Sequence, residues 1–503
     1  MSSPQSFLAL ILLQQPDLRV PDNTQLILTS ATCLAAAGVF FGLTVLNQRV
    51  AFLFHLPLPL GDFKGTPFLT IAGWINEYGP LITIRSNFER IVIIGRYKAA
   101  VEIMEGQGKF VADRPRMIVA GEIVSGGMSI ALAPFGDRFR RMRSALHSHL
   151  QPKAAEAYQP LQMSHVKNIV LGVLDNPQNL QHHVITYAAT TIMKAAYGKN
   201  TPTSATDPEM VAKMRPGAYL VDSIPWLRYL PWYGRELKLG FERRKILHTN
   251  HMEWVKEQMQ SDQDIVPSFM KHMLENSQSY DLTEAEMAFL GGSFLGAGSI
   301  SRRKTSVSIC TVLMAAACFP DERAGVRAKL DAVIGRHRAP TFIDQGSLPR
   351  LQAFISEALR WRPVPSGGFP HRTTNRTYDD LSHQENYCIP AGTTVFGDHW
   401  SISRDSDVYP EPHASKPQRW IDEQGGLRDD LNFFVYGFGR RACPGQHVAD
   451  RSVFIATLLV LWAYKLTLDP TQPWEVLPCT FEFKKRIPEM ELRSMLQHYP
   501  KVV

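Results

Sequence analysis

The stretch FVYGFGRRACPG at residues 434–445 surrounds one cysteine with three glycines, two arginines and a proline, and an apolar, helix-like run follows at residues 448–461. A cysteine that acts as a metal ligand must be a thiolate, and nearby positive charge and a helix N-terminus both stabilise that form. Arg440 and Arg441 supply the charge. Pro444 suits the first position of a helix, so the sequence predicts Cys443 at a helix N-terminus.

The glycines of this stretch add a second indication. Gly437, Gly439 and Gly445 allow the backbone to bend tightly and to approach something large and flat. An isolated cluster of glycine, arginine and cysteine would more often hold a buried, inert cysteine. The length of the pattern favours a ligand instead.

The stretch resembles the haem-binding loop of the cytochrome P450 family, whose pattern is Phe-x-x-Gly-x-Arg-x-Cys-x-Gly. Tyr436, Gly439, Arg441, Cys443 and Gly445 occupy those positions. Tyr436 replaces the usual phenylalanine and adds a hydroxyl that needs a hydrogen-bond partner. The resemblance implies that Cys443 is the thiolate ligand of the iron of haem b. It also implies that Arg441 pairs with a haem propionate.

Composition places the chain among globular proteins, because 45% of its 503 residues are hydrophobic and 20% are charged. The net charge of +7 is spread along the sequence, which fits an anionic membrane or an acidic protein partner and does not indicate nucleic acid. The six cysteines show no CxxC spacing, so neither a zinc site nor a disulfide scaffold is indicated. We expect a reduced, cytosol-facing protein.

An N-terminal membrane anchor is the next expectation. Residues 26–46 form 21 consecutive uncharged residues, enough for one transmembrane helix. A buried core helix and a cleaved signal peptide are the alternatives, but a signal peptide would begin sooner after a basic start and end at small residues. The predicted organisation is therefore a segment 1–25, an anchor 26–46, a proline-containing linker 47–70 and one catalytic domain 71–503.

Two alternating runs, LITIRS and RIVIIG, predict a β-hairpin near the start of the catalytic domain. Further on, Phe139 and Arg143 lie on a basic helical segment, where the resembled family carries Trp-x-x-x-Arg. An arginine one turn beyond an aromatic residue shares its helix face. The resemblance therefore implies that Arg143 binds a haem propionate, whereas the alternative is a solvated basic face.

Residues 284–319 predict the long helix on which the family binds oxygen, with the pattern Ala/Gly-Gly-x-Asp/Glu-Thr-Thr/Ser. The letters AGS at 297–299 match its start. Ile300 then stands in the place of the acid and Ser301 in that of the threonine. Counting back from the end of the helix instead puts Arg303, Lys304 and Thr305 opposite Asp-Thr-Thr, so that Thr305 supplies the last hydroxyl of the pattern. Either hydroxyl is a candidate catalytic group.

No carboxylate follows in either alignment, and residues 302–304 are Arg-Arg-Lys. An unpaired cation buried on this helix would cost several kcal/mol. A mistaken exon edge in the gene model, a local helix bulge, or a loss of oxygen activation would each account for the departure.

Glu357 and Arg360 are spaced to pair on one helix, and PQRW at 417–420 supplies Arg419. By resemblance these three residues form the structural triad that fixes the core behind the haem loop. Arg372 follows on a probable strand. The resemblance implies a propionate contact for it, and the alternative is an exposed strand-end arginine.

The resemblance covers residue 74 to the C-terminus and is greatest to fungal microsomal members, near the O-methylsterigmatocystin oxidoreductase-like group. It implies a mainly α fold with small β-sheets, the cytochrome P450 fold. It also implies monooxygenation of a small apolar, secondary-metabolite substrate, with electrons from NADPH delivered by a flavoprotein reductase at the endoplasmic reticulum membrane. The alternative is a haem-binding relative with impaired or absent oxygenase activity.

Overall fold

The computed structural model describes residues 67–86, 89–199, 220–230, 233–261, 266–296, 305–374, 388–468, 481–497 and 499. The predicted anchor at 26–46 and most of the predicted linker lie outside these ranges. The chain divides into two units, and the second, Thr66–Ile84 with Glu89–Val503, holds nearly all described residues. No helix within the described ranges has the length and apolar character needed to cross a membrane.

Helices dominate the described residues. They are α1 Pro67–Tyr78, α2 Tyr97–Ala100, α3 Asp137–Leu150, α4 Pro152–Glu156, α5 Gln159–Asp175, α6 Leu180–Tyr197, α7 Leu220–Ser223, α8 Arg235–Gln260, α9 Phe269–Glu275, α10 Ser277–Tyr280, α11 Glu284–Leu295, α12 Thr305–Cys318, α13 Pro320–Val333, α14 Pro349–Trp361, α15 His399–Ile402, α16 Gln446–Ala463 and α17 Glu489–Gln497. Single π-helical turns follow at Val101–Gly106 and Ile118–Ile123, and 3₁₀ turns at Pro177–Asn179, Pro225–Tyr229, Phe342–Ser347, Pro417–Trp420 and Gly439–Arg441.

The strands form two small sheets. They are β1 Leu81–Ser86, β2 Glu89–Ile94, β3 His371–Arg372, β4 Thr394–Gly397, β5 Tyr464–Leu468 and β6 Phe481–Lys485. The first sheet has the order β1-β2-β4-β3, with β2 parallel and β3 antiparallel to β4. Strands β5 and β6 pair antiparallel. The predicted fold class, mainly α with small β-sheets, is confirmed, as are the two strands of the predicted hairpin.

Helix α16, which follows the cysteine loop, lies in the main core. From residue 453 to residue 463 every residue is buried, and the same hydrophobic cluster includes residues of α5, α12 and α14. A helix that is apolar on all sides is stable only where other elements surround it. The loop that carries Cys443 is therefore attached to the most enclosed helix of this core.

The start of α16 corrects one prediction. The helix begins at Gln446 with Gly445 as its N-cap, so Pro444 is not its first residue and Cys443 lies two residues before the cap. The amide of Cys443 instead donates to the carbonyl oxygen of Tyr436 at 2.8 Å. This hydrogen bond holds the cysteine in the loop, and the helix starts only after it.

The predicted triad residues meet in a buried network on α14. Both carboxylate oxygens of Glu357 accept hydrogen bonds from Arg360, each at 2.8 Å, and both side chains are fully buried. Arg419 donates to the same carboxylate at 3.2 Å, the indole of Trp420 at 2.9 Å and the amide of Lys416 at 2.7 Å. One carboxylate therefore joins α14 to the 3₁₀ turn at Pro417–Trp420.

The network extends toward the cysteine loop through Arg360. Its remaining donors reach the carbonyl oxygens of Ser403 at 2.7 Å and Pro412 at 2.8 Å, and its guanidinium lies 5.4 Å from the ring centre of Tyr409. The Tyr409 hydroxyl donates to the carbonyl oxygen of Asn432 at 2.6 Å, two residues before the FVYGFGRRACPG stretch. The triad thus supports the segment that leads into the loop.

We expect Glu357→Gln to destabilise the fold by about 3 kcal/mol, because removal of one partner leaves buried arginine charge uncompensated. The free energy of unfolding, measured by denaturant titration, checks this value. Glu423→Gln is the matched control, since Glu423 is exposed. Equal stability of the two variants would contradict the structural role of the network.

Candidate active site

The cysteine loop packs against the first π-helical turn. The backbone of Gly439 has a positive φ of 50°, and a Cβ there would lie 2.6 Å from the carbonyl oxygen of Met104. Its amide donates to Oε1 of Glu105 at 2.8 Å. A residue with a side chain would therefore push the loop away from this turn, so glycine is needed at this position.

Arg441 is buried beneath the loop. Its guanidinium lies 3.7 Å from the ring centre of Phe139 on α3, and it donates to the carbonyl oxygens of Ala112 at 2.5 Å and Ala133 at 2.7 Å. Burial lowers the pKa of Arg441 to about 9, and repulsion from Arg114 adds to the effect. The residue joins the loop to α3 and to the segment before it.

Arg114 is a second cation of this site, and the sequence analysis did not identify it. It donates to the carbonyl oxygen of Ala131 at 3.0 Å and to that of Pro370. Burial lowers its pKa to about 10, and the neighbouring Asp113 partly offsets this effect. Nothing in the local sequence distinguishes Arg114 from other loop arginines, because its partners are distant along the chain.

Arg143 lies on α3 one turn beyond Phe139, as predicted. Burial lowers its pKa, whereas the charge of Cys443 raises it, which places the guanidinium in the field of the sulfur. Among the described residues no hydrogen bond or ion pair reaches the Arg143 side chain. Arg143 is therefore a cation near the cysteine whose guanidinium N–H groups have no acceptor among the described residues.

His371 lies beside Arg114 and Arg441. The imidazole Nδ1 lies 2.8 Å from the carbonyl oxygen of Val111. Burial lowers the pKa of His371 to about 3, with further contributions from Arg114 and Arg441. The ring is therefore neutral.

Arg372 has a different environment. Its amide donates to the carbonyl oxygen of Asp113 at 2.9 Å, and its Nη2 lies 3.6 Å from the position of a Cβ on Gly392. Side chains alternate between the faces of a strand, so Arg372 and His371 point in opposite directions. A propionate contact for Arg372 stays a prediction.

Of the two predicted oxygen-handling residues, Ser301 lies outside the described residues. Thr305 is the first residue of α12 and is half-buried. The predicted long helix is described as α11 and α12, and residues 297–304 between them are not among the described ranges. The roles of Ser301 and Thr305 stay predictions.

The charges of the site indicate what it can hold. The charge of Cys443 acts on Arg143, and both Arg114 and Arg143 act on Arg441. Among the described residues, Asp113 is the carboxylate that shifts the pKa values of Arg114 and Arg441. Buried cations without matching anions are unfavourable, so the arrangement fits a ligand with carboxylates of its own. The cysteine adds a soft ligand for a metal such as iron. The residues therefore fit a metal-bearing dicarboxylate.

A sequence profile described as Cytochrome P450 matches residues 50–492 of the chain. The chain belongs to the cytochrome P450 family. It is 40% identical over 490 residues to cytochrome P450 monooxygenase 64 of Postia placenta, which covers 92% of this chain and 97% of that relative. Cytochrome P450 monooxygenase 113 of the same fungus is 39% identical over 492 residues, with the same coverages.

Solved structures agree on the fold. A zebra fish cytochrome P450 with progesterone has a TM-score of 0.67 at 20% identity, covering 84% of this chain and all of that one. The same comparison with an abiraterone-bound structure gives a TM-score of 0.65 at 18% identity. Together with the fungal relatives, these findings make the chain an enzyme of the cytochrome P450 monooxygenase class, and the family implies haem b as its cofactor.

Replacement of Arg143 should speed the loss of haem without lowering the stability of the haem-free protein. In the haem-free protein Arg143→Gln removes an uncommitted cation, so we expect unchanged or slightly higher stability to denaturant. In the haem-loaded protein we expect haem transfer to excess apomyoglobin to be about tenfold faster, the effect of losing a charged hydrogen bond of about 1.5 kcal/mol.

Arg140→Gln is the control for this experiment, because Arg140 is exposed on the same helix and pairs with Asp137 at the surface. If both variants released haem at the wild-type rate, Arg143 would not contact the cofactor.

Proposed function

We propose that this enzyme is a haem-thiolate monooxygenase in which Cys443 is the axial ligand of the haem iron. The observation that carries the proposal is the group formed by Arg441, which is buried, and Arg114 and Arg143, which are half-buried. Among the described residues, Asp113 is the one carboxylate that shifts the pKa of any of these arginines. A haem presents two propionates for such a set and an iron for the cysteine.

Within this proposal the side chains have separate tasks. Arg143 and Arg114 bind the propionates, with Arg441 and the neutral His371 beside them. When bound, the haem-thiolate group supplies the activation of O₂, so that one oxygen atom enters the substrate and the other leaves as water.

The proposed electron source is NADPH, through a membrane-bound flavoprotein reductase. The proposed substrate is a small apolar organic molecule of secondary metabolism. A buried apolar region where the second π-helical turn meets α7 and α8 supports this class. Its side chains are Ile118, Val119, Val124, Val221 and Leu237.

We also propose that residues 26–46 anchor the enzyme in the endoplasmic reticulum membrane, with the catalytic domain in the cytosol. The uncharged composition of that segment supports the anchor. Two exposed aromatic residues in the 3₁₀ turn Pro225–Tyr229, Trp226 and Tyr229, fit a surface that lies against lipid.

A second candidate function is haem binding with impaired oxygenase activity. The observation in its favour is the absence of Asp or Glu from residues 297–305. Sequencing the transcript across these codons separates the two candidates. An acid followed by threonine in the transcript would eliminate the impaired form.

Carbon monoxide difference spectroscopy tests the ligand. We expect the reduced, haem-loaded protein to show the Soret shift of thiolate ligation on binding carbon monoxide. Cys443→Ala should abolish this shift, because no other thiolate would replace the lost sulfur.

Cys388→Ala is the matched control, since Cys388 is exposed, and we expect it to keep the shift. Persistence of the thiolate-type shift in Cys443→Ala would remove Cys443 as the ligand. Absence of the shift in the wild-type protein would overturn the proposed function.

A further inference from the structure

A surface pocket lies where α13 meets the residue that follows β6, and it has a volume of about 320 Å³. Three of its six lining residues are arginines and one is a carboxylate. The lining consists of Ala324, Arg327, Ala328, Asp331, Arg336 and Arg486. None of them belongs to the site around Cys443, so the pocket is a separate feature of the protein.

One face of α13 forms most of this pocket. Its four lining residues are spaced three and four apart, which places them on the same side of a helix. They are Ala324, Arg327, Ala328 and Asp331. Two of these four positions carry only a methyl group, so space remains beside the charged side chains.

The carboxylate of the pocket is already shared by two arginines. Nη2 of Arg486 donates to both oxygens of Asp331, at 2.6 and 2.7 Å, and its Nη1 donates to the carbonyl oxygens of Leu461 and Trp462 on α16, each at 3.1 Å. Arg336 donates to the same carboxylate at 3.5 Å. Desolvation raises the pKa of Asp331, but the hydrogen bonds from Arg336 and Arg486 lower it below its usual range. Asp331 is therefore ionised and has little capacity left for a third cation.

Arg327 is the cation that this carboxylate does not satisfy. Its Nε is buried, and no atom of the described residues accepts a hydrogen bond from its guanidinium. Desolvation lowers its pKa, the charge of Arg486 lowers it further, and Asp331 offsets part of the effect. Arg327 also repels Arg323, which is buried one helical turn earlier. With three guanidinium groups and one carboxylate, the six lining residues carry a net charge of +2.

We propose that this pocket binds the phosphate group of a small phosphomonoester. Such a group carries about two negative charges at neutral pH, which equals the charge of the lining with opposite sign. A single carboxylate would offset only half of it. Guanidinium groups bind phosphate through paired hydrogen bonds, for which Arg327 and the exposed Arg336 supply the donors. Ala324 and Ala328 leave room for the organic part of the ester.

Occupation of the pocket has a consequence for the stability of the fold. Arg486 joins the end of β6 to α13 through Asp331 and to α16 through two carbonyl oxygens. An anion held by Arg327 and Arg336 reduces the repulsion at this junction. Because the junction forms only in the folded protein, the ligand should raise the temperature of unfolding as its concentration increases.

Isothermal titration calorimetry tests the site, using the full-length, haem-loaded protein at neutral pH and low ionic strength. Glycerol 3-phosphate and inorganic phosphate are the two probes. We expect the wild-type protein to bind both, and Arg327→Gln to bind both about tenfold more weakly, the effect of losing a charge-assisted hydrogen bond. Lys329→Gln is the matched control, because Lys329 is an exposed cation on α13 outside the lining, and it should keep the wild-type affinity.

Two further variants separate the ester from the free anion and guard against misfolding. Ala328→Leu narrows the pocket without changing its charge, so it should weaken the binding of glycerol 3-phosphate more than that of inorganic phosphate. Arg336→Gln changes an exposed position and should also weaken both probes. It replaces Arg327→Gln in the comparison if that variant does not fold.

Failure of the wild-type protein to bind either probe would overturn the site, as would wild-type affinity in Arg327→Gln. Equal weakening in Arg327→Gln and Lys329→Gln would reduce the effect to a general attraction of anions and would also overturn it. Loss of affinity for both probes by the same factor in Ala328→Leu would overturn the ester as the ligand and leave inorganic phosphate. None of these outcomes bears on Cys443 as the haem ligand.

Discussion

Charge balance around one sulfur atom is the constraint on which the rest of this structure depends. Cys443 can bind a metal only as a thiolate, and Arg143 lies in its field. Arg114 and Arg441 repel each other in the same buried region, with Asp113 as the carboxylate that partly offsets them. In the proposed function, the propionates of a bound haem would relieve this repulsion.

The surrounding fold serves to hold these charges in place. The loop before α16 is fixed by its hydrogen bond from Cys443 to Tyr436 and by its close approach to the π-helical turn at Val101–Gly106. Behind it, the Glu357 network joins α14 to the segments that lead into the loop.

The sequence predicted helices, strands and residue pairs within one segment. It did not predict site residues whose contacts lie on distant segments. The helix around Arg143, the strands β1 and β2 and the pairing of Glu357 with Arg360 follow from periodicity and spacing. Arg114 and His371 could not be found this way, because their roles come from contacts with residues such as Ala131, Pro370 and Val111 across the fold. The start of α16 was misplaced for a similar reason, since the hydrogen bond from the Cys443 amide to the carbonyl oxygen of Tyr436 holds the cysteine in the loop before the helix.

Two properties that the family combines rest on different segments in the proposed function. We propose that haem binding depends on Cys443 and on arginines that the structure brings together, and that oxygen chemistry depends on a segment near Ser301 whose sequence departs from the pattern. The first property is the central claim. Iron K-edge X-ray absorption of the haem-loaded protein tests it most directly: we predict one sulfur atom in the first coordination shell of iron, absent in Cys443→Ala. A first shell of nitrogen and oxygen atoms alone in the wild-type protein would contradict it.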